Sequence, residues 1–209
     1  IQGTEGAQVT VTVPEGKNML EVFALLAATR VSTAAELERV AGDPEWLAAQ
    51  GIDGETPEGY LFPETYRFEM PSRPEKVLET MVRQHRVVYD QLKRKHVGAA
   101  ERLRAKLAPA LAKYEAKDPE WEDRQFVIMA SIVEKEAVVA AERPVIASVF
   151  YNRLLLSSFK TRRLETDPTI RYGCTVPRSK SRACQAWDAA GRLYQAQLDD
   201  VDNPDNTYR

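Results

Sequence analysis

Ile128-Met-Ala-Ser-Ile-Val-Glu-Lys-Glu-Ala137 places two carboxylates, Glu134 and Glu136, in an otherwise apolar run. The apolar side chains recur at helical rather than alternating spacing, so the run reads as a helix and the half of the chain around it as mostly helical. Counting about 100° per residue from Phe126, the residues Ile132, Met129, Val133, Phe126, Ala137 and Ala130 fill a continuous arc from roughly 240° round to about 40°. Glu136 falls inside that arc at about 280°, between Ile132 and Met129, whereas Glu134 falls near about 80°, beside Ser131, Lys135 and Arg124. Positions two apart on a helix point about 200° away from each other, so the two carboxylates cannot line one cleft. Glu134 can be satisfied by solvent or a surface ion pair. Glu136 cannot. A carboxyl at the edge of an apolar face loses the hydration that favours its charged form, and a carboxyl that keeps its proton is what a general acid requires. A buried Arg would equally account for such a carboxyl, and the helix alone leaves both readings open.

The neighbouring helices supply candidate partners. Pro144 starts a helix running to about Ser158, on which Arg153 projects between Val149 and Ile146. Its guanidinium there needs a carboxylate or several carbonyls, with Glu134, Glu136 and Glu142 the nearest acids and Asn152 on the border of the same face. Downstream, Glu165-Thr-Asp-Pro-Thr169 presents polar groups at the start of a short helix that Gly173 can close. Asp167 is there either the N-cap or a catalytic group. Cys174 and Cys184 flank a polar, basic stretch, which fits a small stapled loop in an oxidising compartment or two unpaired thiols in a mobile one. The end from Asp199 to Arg209 reads as polar, with weak evidence for regular structure.

Toward the N-terminus, Val9, Val11 and Val13 alternate with Thr10 and Thr12, a half-buried strand ended by Pro14-Glu15-Gly16. Asn18 to Arg30 has helical rhythm. Thr33 and Glu36 stand at capping-box spacing before a second helix, and Asp43-Pro44 opens a third. Between Gln50 and Pro74, Gly and Pro punctuate an aromatic-rich segment, and a domain boundary is placed at its start, dividing the chain into 1–56 and 57–209. Val77, Leu78, Met81, Val82, His85, Val88, Tyr89 and Leu92 then form an amphipathic stripe. His85 on that stripe reads as a core or cleft-edge ring with satisfied nitrogens, for want of catalytic partners. Arg94 to Lys117 reads as a solvated helix or helix pair, and Asp118-Pro119 opens the helix that carries Glu136 and continues to about Ala141.

Composition limits the possible partners. The chain has 209 residues, 29 basic against 31 acidic side chains and a formal net charge of -2, so no overall field draws it to nucleic acid or an anionic bilayer. Two Cys and two His at unpaired spacings do not make a closed zinc site, so neither metal nor cofactor is expected. The opening at Ile1, with no basic flank or apolar signal core, reads as a fragment without its targeting segment. The fold class is α+β, a mostly helical main domain beside a small N-terminal α/β portion.

Several stretches together carry a resemblance. They are Gly59-Tyr-Leu-Phe-Pro-Glu-Thr-Tyr66, Met129-Ala-Ser-Ile-Val-Glu-Lys-Glu136, Glu142-Arg143 followed by Ala147-Ser-Val-Phe-Tyr-Asn-Arg-Leu154, Leu164-Glu-Thr-Asp-Pro-Thr169 with Tyr172-Gly173, and Asn206-Thr-Tyr208. In order and spacing they resemble the motifs of the MltG (YceG-like) endolytic murein transglycosylases. The resemblance implies a LysM-like remnant over 1–56 and a YceG-like catalytic domain over 57–209. The implied reaction cuts the β-1,4 bond between N-acetylmuramic acid and N-acetylglucosamine within peptidoglycan strands and leaves 1,6-anhydromuramoyl ends. The family's catalytic glutamate corresponds to Glu136, the side chain the helical wheel singles out. Tyr60, Glu64, Asn152, Arg153, Thr166, Asp167 and Tyr208 are the candidates to orient that carboxyl or hold saccharide, with Tyr60, Phe62 and Tyr66 stacking on sugar or, by burial habit, packing in a core. The resemblance also implies an extracytoplasmic location, a membrane anchor upstream of Ile1 and cell-wall synthases (penicillin-binding proteins) as partners. The competing functions are a muramidase-type hydrolase and a non-catalytic peptidoglycan-binding scaffold. The sequence departs from the family pattern at Ala137, where a hydroxyl residue is common, at Glu165, where Gln is common, and in stopping at Arg209 before a Gly-Pro-Pro-rich segment.

Overall fold

The computed structural model describes residues 7–111, 121–188 and 191–209. Contacts divide the chain into two compact units, one ending at Val97 and the other beginning at Gly98. The Asp118-Pro119 helix start falls outside the described residues.

In the first unit the Val–Thr alternation forms strand β1 (Gln8–Thr12), which pairs antiparallel with β2 (Thr65–Glu69) so that Val9 faces Phe68 and Val11 faces Tyr66. Tyr66, Phe68 and Val11 point into the core, and the outward residues Thr12 and Thr65 join hydroxyls at 3.0 Å. Helices α1 (Met19–Ala28), α2 (Ala34–Ala41) and α3 (Pro44–Ala49) cover this ribbon's end of the chain. Thr33 and Glu36 make the expected reciprocal capping box, and Asn18 with Glu21 makes a second at the start of α1. Hydrogen bonds from the Thr33 hydroxyl and then its backbone N–H hold the Glu36 carboxyl below the usual carboxylate range. Helix α4 (Pro74–Leu111) completes the core with Val77, Leu78, Met81 and Val82, all fully buried against Phe23, Leu26 and Leu37.

Three expectations change here. Residues 57–97, placed from the sequence in the second segment, belong to the first compact unit, because β2 and the start of α4 bury their apolar side chains in the core that β1 and α1 build. The stripe on α4 is buried only through Val82, and Leu92 is exposed because the helix runs on beyond that core. His85 packs between Tyr60, with ring centroids 5.2 Å apart, and Tyr89, at 5.6 Å, while its buried Nδ1 makes no hydrogen bond among the described residues. Burial, then the Arg86 charge, lowers its proton affinity. Helix α4 departs from helical geometry at His96, next to the division between the units.

The second unit is helical. Helices α5 (Trp121–Glu136) and α6 (Arg143–Leu155), joined through a 3-10 turn at Ala140–Glu142, pack Met129, Ile132 and Val133 against Phe150, with Ile146, Ala147, Leu154 and Leu164 around them. The wheel's arc is therefore right at its centre and too wide at one edge, since Ala130 is exposed. Helix α5 ends at Glu136 rather than continuing to Ala141. A second cluster joins Ile170 on α7 (Asp167–Thr175) to Cys174 and Cys184, the latter on the short α8 (Arg182–Gln185), with Leu198 of α9 (Gln195–Leu198) beside them. Gly173 does not end α7. It lies inside the helix, where a Cβ would meet Asn203 Oδ1 at 2.1 Å, so the close approach of Asn203 requires Gly. The polar end is well anchored: the Asn206 amide donates to the carbonyls of Gln197, Leu198 and Asp200, so burial is matched by hydrogen bonds. The architecture is α+β, mostly helical with one two-stranded sheet among the described residues.

Cys174 and Cys184 form a disulfide across a separation of 10 residues, which resolves the alternatives left by their spacing. Closing a loop of that length restricts the unfolded chain by about 3 kcal/mol in the chain-entropy account. Reduction, or replacement of both cysteines by Ala, is expected to lower the unfolding free energy by about that amount, read as a lower urea midpoint. An unchanged midpoint on reduction would contradict the staple's role.

Candidate functional site

Glu136 is the last residue of α5, half-buried beyond the turn that sets Ile132 and Val133 in the core. Helix α6 lies against α5 and brings Ile146, Val149, Phe150 and Arg153 to the same place. Together with Glu165 these residues line a groove of about 260 Å3 with the Glu136 carboxyl in its wall. Helix α6 gives the groove three apolar side chains and the cation Arg153, and the two acids, Glu136 and Glu165, come from outside α6. The companion carboxylate is directed away from it: Glu134 pairs with Arg143 Nη2 through both oxygens, at 2.9 and 2.8 Å.

The segment entering α7 reaches Glu136 from the other side. Thr166 is its N-cap residue and is almost fully buried, yet its hydroxyl does not cap the helix; it donates to Glu136 Oε1. A capping side chain contributes roughly 0.5–2 kcal/mol, so α7 forgoes that contribution while the carboxyl gains a fixed donor. Asp167, expected as a possible N-cap, is instead the first helical residue, and its Oδ1 accepts from the Tyr208 hydroxyl at 2.8 Å. Burial first, then the bond to Asp167, then the charges of Asp167, Glu136 and Glu165 push the Tyr208 phenol up to about 12. Glu165 adopts a left-handed backbone, φ 54°, and its N–H donates to the Thr207 carbonyl at 3.1 Å. A residue with a Cβ in that region costs about 1–3 kcal/mol, a strain of the kind found at functional segments.

Arg153 resolves its choice of partner in favour of backbone. Its Nη1 donates to the Leu164 carbonyl, and no ion pair joins it to Glu136 among the described residues. The buried Glu–Arg pair that a purely structural role would need is therefore absent among them. Asn152 stands exposed on α6 and is not part of the groove lining. Tyr60 and Glu64 belong to the first unit. There Tyr60 packs on His85, and Glu64 accepts the Thr65 N–H at 2.8 Å and gives its carbonyl to the Val13 N–H at 3.0 Å. Tyr66 is a core residue whose hydroxyl donates to the Phe62 carbonyl at 2.6 Å. Glu136, Arg153 and Glu165 are thus brought together by the groove, and Thr166, Asp167 and Tyr208 border it through hydrogen bonds or charge. Thr169 and Thr207, which bond around Thr166, escaped the sequence reading. The signals were Thr166 and Thr169 three apart at a helix start, and Thr207 within Asn206-Thr-Tyr208.

The sequence profile of the YceG-like family matches residues 2–209, and the chain belongs to that family. The endolytic murein transglycosylase of Bacillus subtilis (strain 168) is 32% identical over 153 residues, which are 73% of this chain and 32% of that protein. The chain thus spans about a third of the length of the curated relative it matches. The crystal structure of a yceG-like protein from Listeria monocytogenes superposes with a TM-score of 0.65 at 28% identity, covering 97% of this chain and 60% of that one.

The phenol of Tyr208 gives a direct check on the site's electrostatics. Because its folded-state value lies above the ordinary value of about 10, the stability it contributes is present below about pH 10 and is lost as pH rises through about 12. A phenolate-absorbance titration of the parent minus Tyr208→Phe is expected to show one transition near 12. A difference transition near about 10 would mean that burial and the Asp167 bond do not act on this hydroxyl.

Proposed function

We propose that the chain is the catalytic portion of an endolytic peptidoglycan lytic transglycosylase in which Glu136 is the single general acid and base. The observation that carries this reading is the Glu136 carboxyl in the wall of an open groove, held by the Thr166 hydroxyl and not neutralised by Arg153. Family membership and the similarity to a protein named endolytic murein transglycosylase supply the substrate class. In this reading the unit beginning at Gly98, which holds the groove, carries the YceG-like catalytic function, and residues 1–56 of the first unit are a LysM-like remnant. The protein acts outside the cytoplasm, held by an N-terminal membrane anchor and working beside cell-wall synthases. No helix among the described residues is long and apolar enough to cross a membrane.

One carboxyl suffices because the second reactant is part of the substrate. Glycosidases that use water or a covalent intermediate need a second carboxylate as base or nucleophile. Here the proton on Glu136 goes to the oxygen linking muramic acid C1 to the 4-position of the next glucosamine, and the C1–O bond breaks. The muramoyl 6-hydroxyl then attacks C1, forming the C1–O6 bond of the 1,6-anhydro ring and returning its proton to Glu136. Nucleophile and electrophile belong to one sugar, so the attack is intramolecular and proximity lowers its barrier. Thr166 orients the carboxyl, and Arg153, Asp167 and Tyr208 bind or orient saccharide at the groove's edge.

Glu136→Gln keeps size and hydrogen-bonding reach but cannot cycle a proton. Its rate of glycan-strand cleavage is expected to fall by a factor on the order of 100 or more, with the urea midpoint and glycan binding close to the parent's. Mass spectrometry of digested sacculi checks the chemistry. The parent should release 1,6-anhydromuramoyl ends, whereas reducing ends would indicate a muramidase. Cleavage by the variant at the parent rate would remove Glu136 from the reaction.

A further inference from the structure

We infer that Thr207, acting together with Thr169, is a positioning residue whose hydroxyl fixes Thr166 and so aims the Glu136 carboxyl. The inference rests on the acid–base reading of Glu136 and extends it to residues that never touch the reacting atoms.

Donors and acceptors around Thr166 can be assigned one by one. The Thr166 N–H donates to Thr207 Oγ1 at 3.0 Å. The Thr169 hydroxyl donates to the Thr166 carbonyl at 2.8 Å. The Thr169 and Thr207 hydroxyl oxygens lie 2.9 Å apart, and either could donate. Thr169 has already committed its proton to a carbonyl, so the Thr207 proton points to Thr169 Oγ1; its other acceptor, the Thr166 carbonyl, is farther at 3.5 Å. The result is a closed ring: the Thr166 N–H to Thr207, the Thr207 hydroxyl to Thr169, and the Thr169 hydroxyl to the Thr166 carbonyl. Every donor in it has one acceptor, and both backbone groups of Thr166 are engaged.

One donor is then left over. The Thr166 hydroxyl has Glu136 Oε1 as its only hydrogen-bond acceptor among the described residues, so its proton is directed to that oxygen. Thr166 is 2% exposed, which leaves little room for solvent to substitute for a lost partner. The ring also closes a gap of 41 residues in sequence. Thr207 is in turn fixed by its carbonyl, which accepts from Glu165, and by the Asn206 side chain, which binds the turn after α9. The C-terminal segment meets the backbone of Thr166 at Thr207, between the Glu165 N–H bond to the Thr207 carbonyl and the Tyr208 hydroxyl bond to Asp167.

The test uses the full chain and initial rates of anhydro-end release against soluble glycan-strand concentration. Thr207→Val removes the hydroxyl at nearly constant shape, and Thr207→Ser keeps it. The expected result for Thr207→Val is a fall in kcat on the order of 10-fold with KM changed by less than about twofold, since orientation of the acid and not strand binding is lost. Thr207→Ser should restore most of the parent kcat. Thr169→Val opens the same ring at another vertex and should show the same fall, and the double variant should be no worse than either single one, because the ring is already broken. Urea midpoints serve as the folding control, and Thr169→Val carries the test if Thr207→Val does not fold. Parent-like kcat in the Val variants, failure of Ser to rescue, or losses that multiply in the double variant would each overturn the inference. Glu136→Gln measured alongside separates the two readings. If it is inactive while Thr207→Val runs at the parent rate, only the positioning role fails; if it is active, the acid–base reading fails first.

Discussion

The hydrogen bond from the Thr166 hydroxyl to the Glu136 carboxyl ties together the parts of the second unit that form the groove. It joins the end of α5 to the start of α7, two elements whose apolar residues belong to separate clusters. Either element could form without it. With it, a carboxylate that would otherwise be free to rotate into solvent is held in the wall of a groove that α6 completes. A hydrogen bond in a partly desolvated place is stronger than the same bond in water, and its direction is fixed by a buried donor.

The local irregularities of the unit gather at this bond. Thr166 occupies an N-cap position without capping, and Glu165 holds a left-handed backbone that would ordinarily fall to Gly. Arg153 gives a guanidinium proton to a carbonyl and not to the acid beside it. Ordinary rules are kept in the capping boxes of α1 and α2, the alternation of β1 and the apolar face of α5. A sequence that gives up several local preferences beside a single carboxyl is consistent with selection for function at that place.

Much of this was legible in the residues. Periodicity found α5 and placed Glu136 on its apolar face, because a helical wheel needs only local geometry. Caps at Thr33 and Asp43 gave two helix starts for the same reason. What could not be read depended on partners distant in the chain. Strand β2 is five residues long and hidden among Gly and Pro, and its pairing with β1 spans more than fifty residues, so the first core extends well past residue 56. Gly173 looked like a helix stop because its neighbour Asn203 is thirty residues on. The C-terminal segment looked like a loose polar end because its order comes from side-chain amides and hydroxyls, whose partners no hydrophobic pattern reveals. Thr169 and Thr207 were missed on the same account.

The central claim is that one carboxyl, aimed by Thr166, meets the linking atom of a glycan strand. A crystal structure of the chain with an uncleavable, sulfur-linked glycan oligomer tests it most directly. The account predicts the oligomer in the groove beside Phe150 and Arg153, with a Glu136 carboxyl oxygen within hydrogen-bonding reach of the linking sulfur, about 3–4 Å, and the Thr166 hydroxyl still donating to the other oxygen. An oligomer bound elsewhere, or one in the groove with its linkage beyond the reach of Glu136, would contradict it.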